Sequence, residues 1–331
     1  MGSNYYFAVV LSSRPVDYDK CSLNYLTKRF SKAGRLCDVP NFATLPSLNS
    51  GFLSYGGKLN IYHLKLDDGC FETELIASFS SNRKIQHACF IGADLLVCFE
   101  DSLEIWSNWQ GDMQSVRVCS IDDNWFAGLH TVFPFGTSNC IVSSSAADAA
   151  MVVNLISKSV VSRLRLPGYL YGDNYNLRES DSLKEHYIPN DLQLGHLNCA
   201  FPDEHKNIWV STLIQGDIGF FDPAGNYKQV MAGYVGAHGV RCIEGTGRIY
   251  FSDSCLGTLV IADSHGQRIQ RYSTDSSWMH DAQHLQDDLF LLGLSDLGKV
   301  VLADVVTGEE RQLQICKTEG FIQFFCLHKL G

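Results

Sequence analysis

HLNCAFPDEHKNIWVSTLIQGDIGFFDPAGNYKQV (196–230), HGVRCIEGTGRIYFSDSCLGTLVIADSHGQRIQRY (238–272) and HDAQHLQDDLFLLGLSDLGKVVLADVVTGEERQL (280–313) are three copies of one plan. Their starts recur at about 42 residues, within the range of four-stranded propeller blades. Each copy opens on a short inner strand and turns into a β-rich second strand, Ile208–Thr212, Ile249–Ser252 or Leu289–Leu292. A Gly-containing turn leads to a third strand ending in Asp: Ile218–Asp222, Thr258–Asp263 or Lys299–Asp304. The turns that follow, Pro223-Ala-Gly-Asn, Ser264-His-Gly-Gln and Val306-Thr-Gly-Glu, supply glycine where a tight reversal needs positive φ. A polar outer strand completes each unit, and four strands per unit is the pattern of a blade.

Working outward, HACFIGADLLVCFEDSLEIW (87–106) and HTVFPFGTSNCIVSSSAADAAMVVN (130–154) repeat the plan, and 42–77 reads as a weaker copy. The termini supply one more unit. Gly320–Leu327 has the character of an inner strand with nothing after it, and Tyr5–Ser12 that of a second strand with nothing before it. Joining them closes the ring and removes an open sheet edge. The expectation is an all-β chain forming one domain over residues 1–331, a seven-bladed β-propeller, with six blades as the alternative. A composition 45% apolar and 19% charged supports a large core.

A net charge of −10 with no Lys/Arg-rich run offers no field for phosphates, which excludes nucleic acid as the main partner. No stretch approaches the roughly 18 apolar residues needed to cross a bilayer, so no membrane partner is expected. The run Tyr5–Leu11 lacks a basic leader and a cleavage pattern, so it does not read as a signal peptide. Twelve cysteines include no CxxC pair, and many sit in apolar strand-like runs as small hydrophobes. A reducing, cytoplasmic setting is the expectation. Nothing in the sequence specifies an oligomeric state.

His87, His130, His196, His238 and His280 fall at the starts of consecutive inner strands. Inner strands line the central channel, so five imidazoles are brought toward one end of it. Neutral imidazole is the commonest metal ligand, and such a cluster suits a divalent transition metal, zinc, iron or copper, with positions left for substrate. Two other readings stay open: each histidine hydrogen-bonds a neighbouring carbonyl as a structural repeat residue, or the ring forms a metal-free pocket for an anion or small polar ligand. On the same strands, Asn198 and Gln283 are candidate pocket residues, and Arg241 and Asp281 are candidates for catalysis, Asp281 also for orienting an imidazole. Trp278, just before His280, is placed to line the same pocket.

The main irregularity is PGYLYGDNYNLRESDSLKEHYIPNDLQLG (167–195), a long inter-blade insertion that emerges on the histidine face. Loops of this length are usually functional, and it reads either as a lid over the channel or as a solvated loop. Tyr171 and Glu179 are its candidate acid–base residues, and Tyr175 a candidate pocket residue.

The inner-strand starts Ala237-His238-Gly239-Val240 and Met279-His280-Asp281-Ala282 resemble the histidine-bearing blades of the peptidylglycine amidating lyases. That resemblance implies a propeller with NHL-like blades holding a catalytic zinc through three histidines. The plan also looks like the carotenoid cleavage oxygenases, which implies four histidines on iron. It is similar in size to streptogramin lyase, which implies a catalytic histidine and an elimination reaction. The expected function is therefore a metal-dependent enzyme, lyase or oxygenase in type, acting on a small organic molecule or modified peptide. A metal-free lyase or small-ligand-binding propeller and a non-enzymatic protein-interaction scaffold are the alternatives.

Overall fold

The computed structural model describes residues 3–12, 56–67, 70–110, 116–168, 177–184, 193, 195–313 and 321–329. Among them, twenty-four strands form six antiparallel sheets of four strands each. In one sheet the order is β24 (Phe321–Lys329), β1 (Ser3–Ser12), β2 (Gly57–Asp67) and β3 (Cys70–Ser81). The other five sheets each take four consecutive strands. Their inner strands are β4 (Ile85–Ile91), β8 (Leu129–Phe135), β12 (Leu197–Pro202), β16 (Ala237–Ile243) and β20 (Met279–Gln286). Each inner strand touches the next, and β20 touches β24, so the ring closes. We number the blades 1 to 6 from the one that holds both termini.

The protein is thus a six-bladed β-propeller, and the count of seven is corrected by one. The terminal strands do pair, from Tyr5 opposite Lys329 to Ser12 opposite Phe321. The same β1 also pairs along its full length with β2, from Ser3 opposite Leu66 to Ser12 opposite Gly57. The stretch 42–77 and the terminal strands are therefore one blade, read as two because residues 13–56 separate its second strand from its third.

Burial explains the sequence pattern of the blades. Second strands such as Ile208–Thr212 are buried at every residue because a neighbouring blade covers each face, and they read as unbroken apolar runs. Fourth strands such as Arg117–Ile121 are largely exposed, hence polar. No helix among the described residues is long and apolar enough to cross a membrane.

The inner strands share one device. The apolar first residue of each pairs with the end of the second strand: Ile85 with Phe99, Leu129 with Ser144, Leu197 with Thr212, Ala237 with Asp253, Met279 with Leu294. Immediately afterwards the ladder slips, between Ile85 and His87, Leu129 and Val132, Leu197 and Cys199, His238 and Arg241, Met279 and Asp281. In β24 the same slip skips Gln323, between Ile322 and Phe324. A β-bulge bends a strand and re-aims a side chain at the rim of a closed structure. These slips lie near one level, at the histidine end of the inner strands.

Candidate active site at the histidine mouth of the channel

With the pairing as a ruler, the residue following the apolar anchor is Gln86, His130, Asn198, His238 or His280 in blades 2 to 6. Three of the five candidate histidines therefore occupy one register position. His196 stands two residues before it and His87 one residue after, so the single repeated position expected from spacing holds for His130, His238 and His280 alone.

His196 still reaches the rim, by an unusual backbone. Its φ of 53° lies in the left-handed region, disfavoured for a residue with a Cβ. The flanking N–H groups of Gly195 and Leu197 both donate to Asp148, at 3.0 and 3.1 Å, and hold the kink. The result is a contact between imidazoles of adjacent blades: Nε2 of His196 lies 2.9 Å from Nε2 of His130, one of them donating. His87 goes elsewhere. It is fully buried, its Nδ1 accepts the Val132 N–H at 3.4 Å, and its ring meets Phe133 edge-on at 4.9 Å. It fills the seam between blades 2 and 3, the structural role held open for it.

His238 and His280 form the second pair, with ring centroids 4.8 Å apart. Nδ1 of His238 lies 2.9 Å from the Gly236 carbonyl and 2.9 Å from the Ser254 hydroxyl. Nδ1 of His280 faces the Trp278 indole N–H, which donates to it at 3.3 Å. Trp278 also stands edge-on to the His238 ring at 5.8 Å, so this residue does join the cluster. Burial lowers the pKa of His130 to about 3, helped by the Lys84 and His238 charges, and that of His238 to about 4 against the pull of the Gly236 carbonyl. Burial likewise holds His280 well below its ordinary value, with His238, His130 and Lys84 adding to the effect. His130, His238 and His280 are therefore neutral imidazoles at neutral pH.

The other candidates separate into layers. Asn198, fully buried, donates to the Ala237 carbonyl at 2.7 Å and accepts from the Ser211 hydroxyl at 2.6 Å, so it ties blade 4 to blade 5. Arg241 and Asp281 bind each other below the rim, Nη1 to Oδ1 at 2.6 Å and Nη2 to Oδ2 at 2.8 Å, both essentially without solvent contact. Nη1 also donates to the Ala282 carbonyl, and the guanidinium lies over the Phe133 ring at 5.2 Å. Residues of blades 3, 5 and 6 thus meet across the channel and plug it. Gly239, at φ +63°, sits so close to the Asp281 carboxylate that a Cβ has no room. Gln283 lies beyond the plug, where its side chain points to the Tyr250 hydroxyl at 3.5 Å. There it helps line a cavity of about 520 Å³ at the opposite mouth, together with Tyr5, Phe201, Trp209 and Tyr250. The titratable cluster is at the other end of the channel.

From the insertion, Tyr171 and Tyr175 lie outside the described residues. Residues 177–184 dock on the histidine face beside blade 3: Leu183 is buried with its N–H donating to the Asn124 carbonyl at 2.9 Å, and Arg165 holds the Leu177 carbonyl at 3.0 Å. Glu179 is exposed.

Reading by spacing missed three residues of blade 2. Gln86 takes the register position itself, Lys84 takes the position of His196 and Trp278, and Glu100 takes that of Ser254. Anchoring the alignment on the apolar residue at each strand start, rather than on the histidines, finds them.

No family model and no curated protein matches the sequence. Solved structures do match. The nidogen/laminin complex aligns with a TM-score of 0.60 and 10% identity, over 81% of this chain and 94% of that chain. A streptogramin B lyase aligns with a TM-score of 0.52 and 9% identity, over 83% of each chain. A catalytically inactive histidine-to-alanine variant of virginiamycin B lyase from Staphylococcus aureus, solved with quinupristin, aligns with a TM-score of 0.52 and 7% identity, over 84% of this chain and 85% of that one. At these identities the likeness is one of fold, and it bears out the propeller.

Proposed function

We propose that the chain is a lyase acting on a small organic molecule or modified peptide, with His238 and His280 as its base and acid. One observation carries this reading: the two adjacent rings are held in opposite tautomers. A carbonyl oxygen only accepts, so the neutral His238 carries its proton on Nδ1 toward Gly236 and keeps a lone pair on Nε2. An indole N–H only donates, so His280 accepts at Nδ1 and carries its proton on Nε2. A base and an acid side by side are what an elimination needs. His238 Nε2 takes a proton from carbon, the C–H electron pair becomes the new double bond, and the bond to the leaving group breaks as His280 Nε2–H protonates that group. His238 then gives up the proton it took and His280 recovers one at Nε2, so the net transfer is one proton from carbon to the leaving group and both rings return to their starting tautomers. The fold shared with two streptogramin-type lyases supports the reading, as does the loss of activity in one of them when a histidine becomes alanine.

The divalent-metal reading fits less well. Among the described residues no three His, Cys, Asp or Glu side chains stand together as a metal site, and His87 faces a blade seam. No step is routed through zinc, iron or copper, and oxygenase chemistry is set aside with it.

The test is incubation of untagged protein with quinupristin and a panel of cyclic esters, followed by mass spectrometry. Elimination that opens a ring leaves the mass unchanged, whereas hydrolysis adds one water. His238→Gln and His280→Gln are expected to lower turnover roughly 10²–10⁴-fold. Turnover untouched by both variants, or a product one water heavier, overturns the proposal. Stoichiometric metal in the purified protein that departs in the His130→Ala and His238→Ala variants restores the metal reading.

A further inference from the structure

Blade 2 breaks the pattern of the rim. Where blade 5 has Gly236, His238 and Ser254, blade 2 has Lys84, Gln86 and Glu100 at the same register. Gln86 is 2% exposed and Glu100 8%, and neither belongs in a dry seam without partners. Among the described residues, the Gln86 Nε2 and the Glu100 Oε2 have no hydrogen-bond partner. The other Glu100 oxygen is 4.0 Å from the Lys84 ammonium, a loose pair. Lys84 belongs to the mouth electrostatically, since its charge is felt by both His130 and His280. An unmet donor and an unmet acceptor, each costing about 1–3 kcal/mol if left buried and dry, call for an occupant that brings both partners.

We propose that blade 2 is the substrate-recognition wall of the mouth and that it takes an amide: the substrate's carbonyl oxygen is received by the Gln86 carboxamide and the Lys84 ammonium, and its N–H by the Glu100 carboxylate. This assignment rests on the histidine rim being the reaction site and narrows its substrate to compounds with a peptide-like bond. A carboxylate satisfies the donors but meets Glu100 as a like charge. An ester satisfies the donors and leaves Glu100 unmet. In the six-membered ring of blades, blade 2 stands across the channel from blade 5, so the held amide faces the His238 base.

The test measures binding alone. N-methylacetamide, methyl acetate and acetate are titrated into the full chain, and the imidazole Cε1–H resonances of His130 and His280 are followed by NMR. N-methylacetamide is expected to give a saturable shift at the lowest concentration of the three. Gln86→Leu and the isosteric Glu100→Gln are each expected to weaken it roughly five- to tenfold. Lys84→Met should bind more weakly as well. Acetate binding as tightly as the amide, or equal affinity in Glu100→Gln, overturns the assignment. If Gln86→Leu fails to fold, Glu100→Gln decides, because it changes no volume. The readout needs no turnover: absence of lyase activity leaves it standing, while retained turnover with no amide binding overturns this inference and not the lyase reading.

Discussion

The rim of imidazoles and the layer beneath it come from the same strands and differ in how their polar groups end: Arg241 and Asp281 are fully buried, whereas His130 and His280 keep partial exposure. Below, Arg241 and Asp281 meet as a bidentate pair that closes on itself, with the spare Nη1 proton given to Ala282. Above, His238 and His280 are each fixed through Nδ1, to a carbonyl and an indole that belong to the scaffold. The lower layer is a closed ion pair and structural. The upper one is oriented by the scaffold, which is the condition for chemistry.

The sharpest way to break this contrast is to cut the lower pair. Asp281→Ala strands a buried guanidinium and is expected to cost about 3–5 kcal/mol, read as a lower urea midpoint. His280→Gln in the rim should cost less than about 1 kcal/mol while abolishing turnover. Equal losses from the two substitutions would erase the distinction between layers. Gly239→Ala comes next: a Cβ there meets the Asp281 carboxylate at a φ of +63°, and destabilisation by about 1–3 kcal/mol is expected.

Acid should act on the rim. The histidines titrate near 6.5 when unfolded, whereas His130 and His238 do so at about 3 and about 4 in the fold. Between those values the unfolded chain binds more protons, so their contribution is complete above pH 6.5 and shrinks as pH falls toward 4. The slope is at most about 1.4 kcal/mol per pH unit for each histidine. Urea midpoints across that range should show the decline, and a His130→Gln, His238→Gln double variant should flatten it. The smallest effect belongs to Glu179→Gln. That side chain is exposed on the docked part of the insertion, and stability should change by no more than about 0.5 kcal/mol.

The strand grammar was legible because it is enforced by burial: a strand covered on both faces must read as an apolar run, and Ile208–Thr212 does. Even the pairing of Tyr5–Ser12 with the C-terminal strand could be read from which neighbours each lacked. The blade count failed by one because adjacency in a sheet does not follow adjacency in sequence, and residues 13–56 disguised Gly57–Asp67 as the start of a new unit. The histidine register failed for a smaller reason. A bulge adds one residue to a strand, and spacing arithmetic at a period of about 42 cannot resolve a slip of one or two. His87 and His196 were thus grouped with residues whose backbone positions they do not share. Lys84, Gln86 and Glu100 went unseen since blade 2 answers the histidine position with a carboxamide, which carries no chemical signature until its partners are counted.

The Arg241–Asp281–Phe133 plug has a kinetic corollary. A propeller with an open bore allows substrate in at one end and product out at the other. With these side chains packed beneath the histidines, substrate and product of the proposed lyase would use a single opening. Product still seated there excludes the next substrate, and product inhibition should be competitive with a constant close to the product's own dissociation constant. Release, rather than bond breaking, then becomes the natural ceiling on the rate, and any segment lying over that opening governs the traffic in both directions.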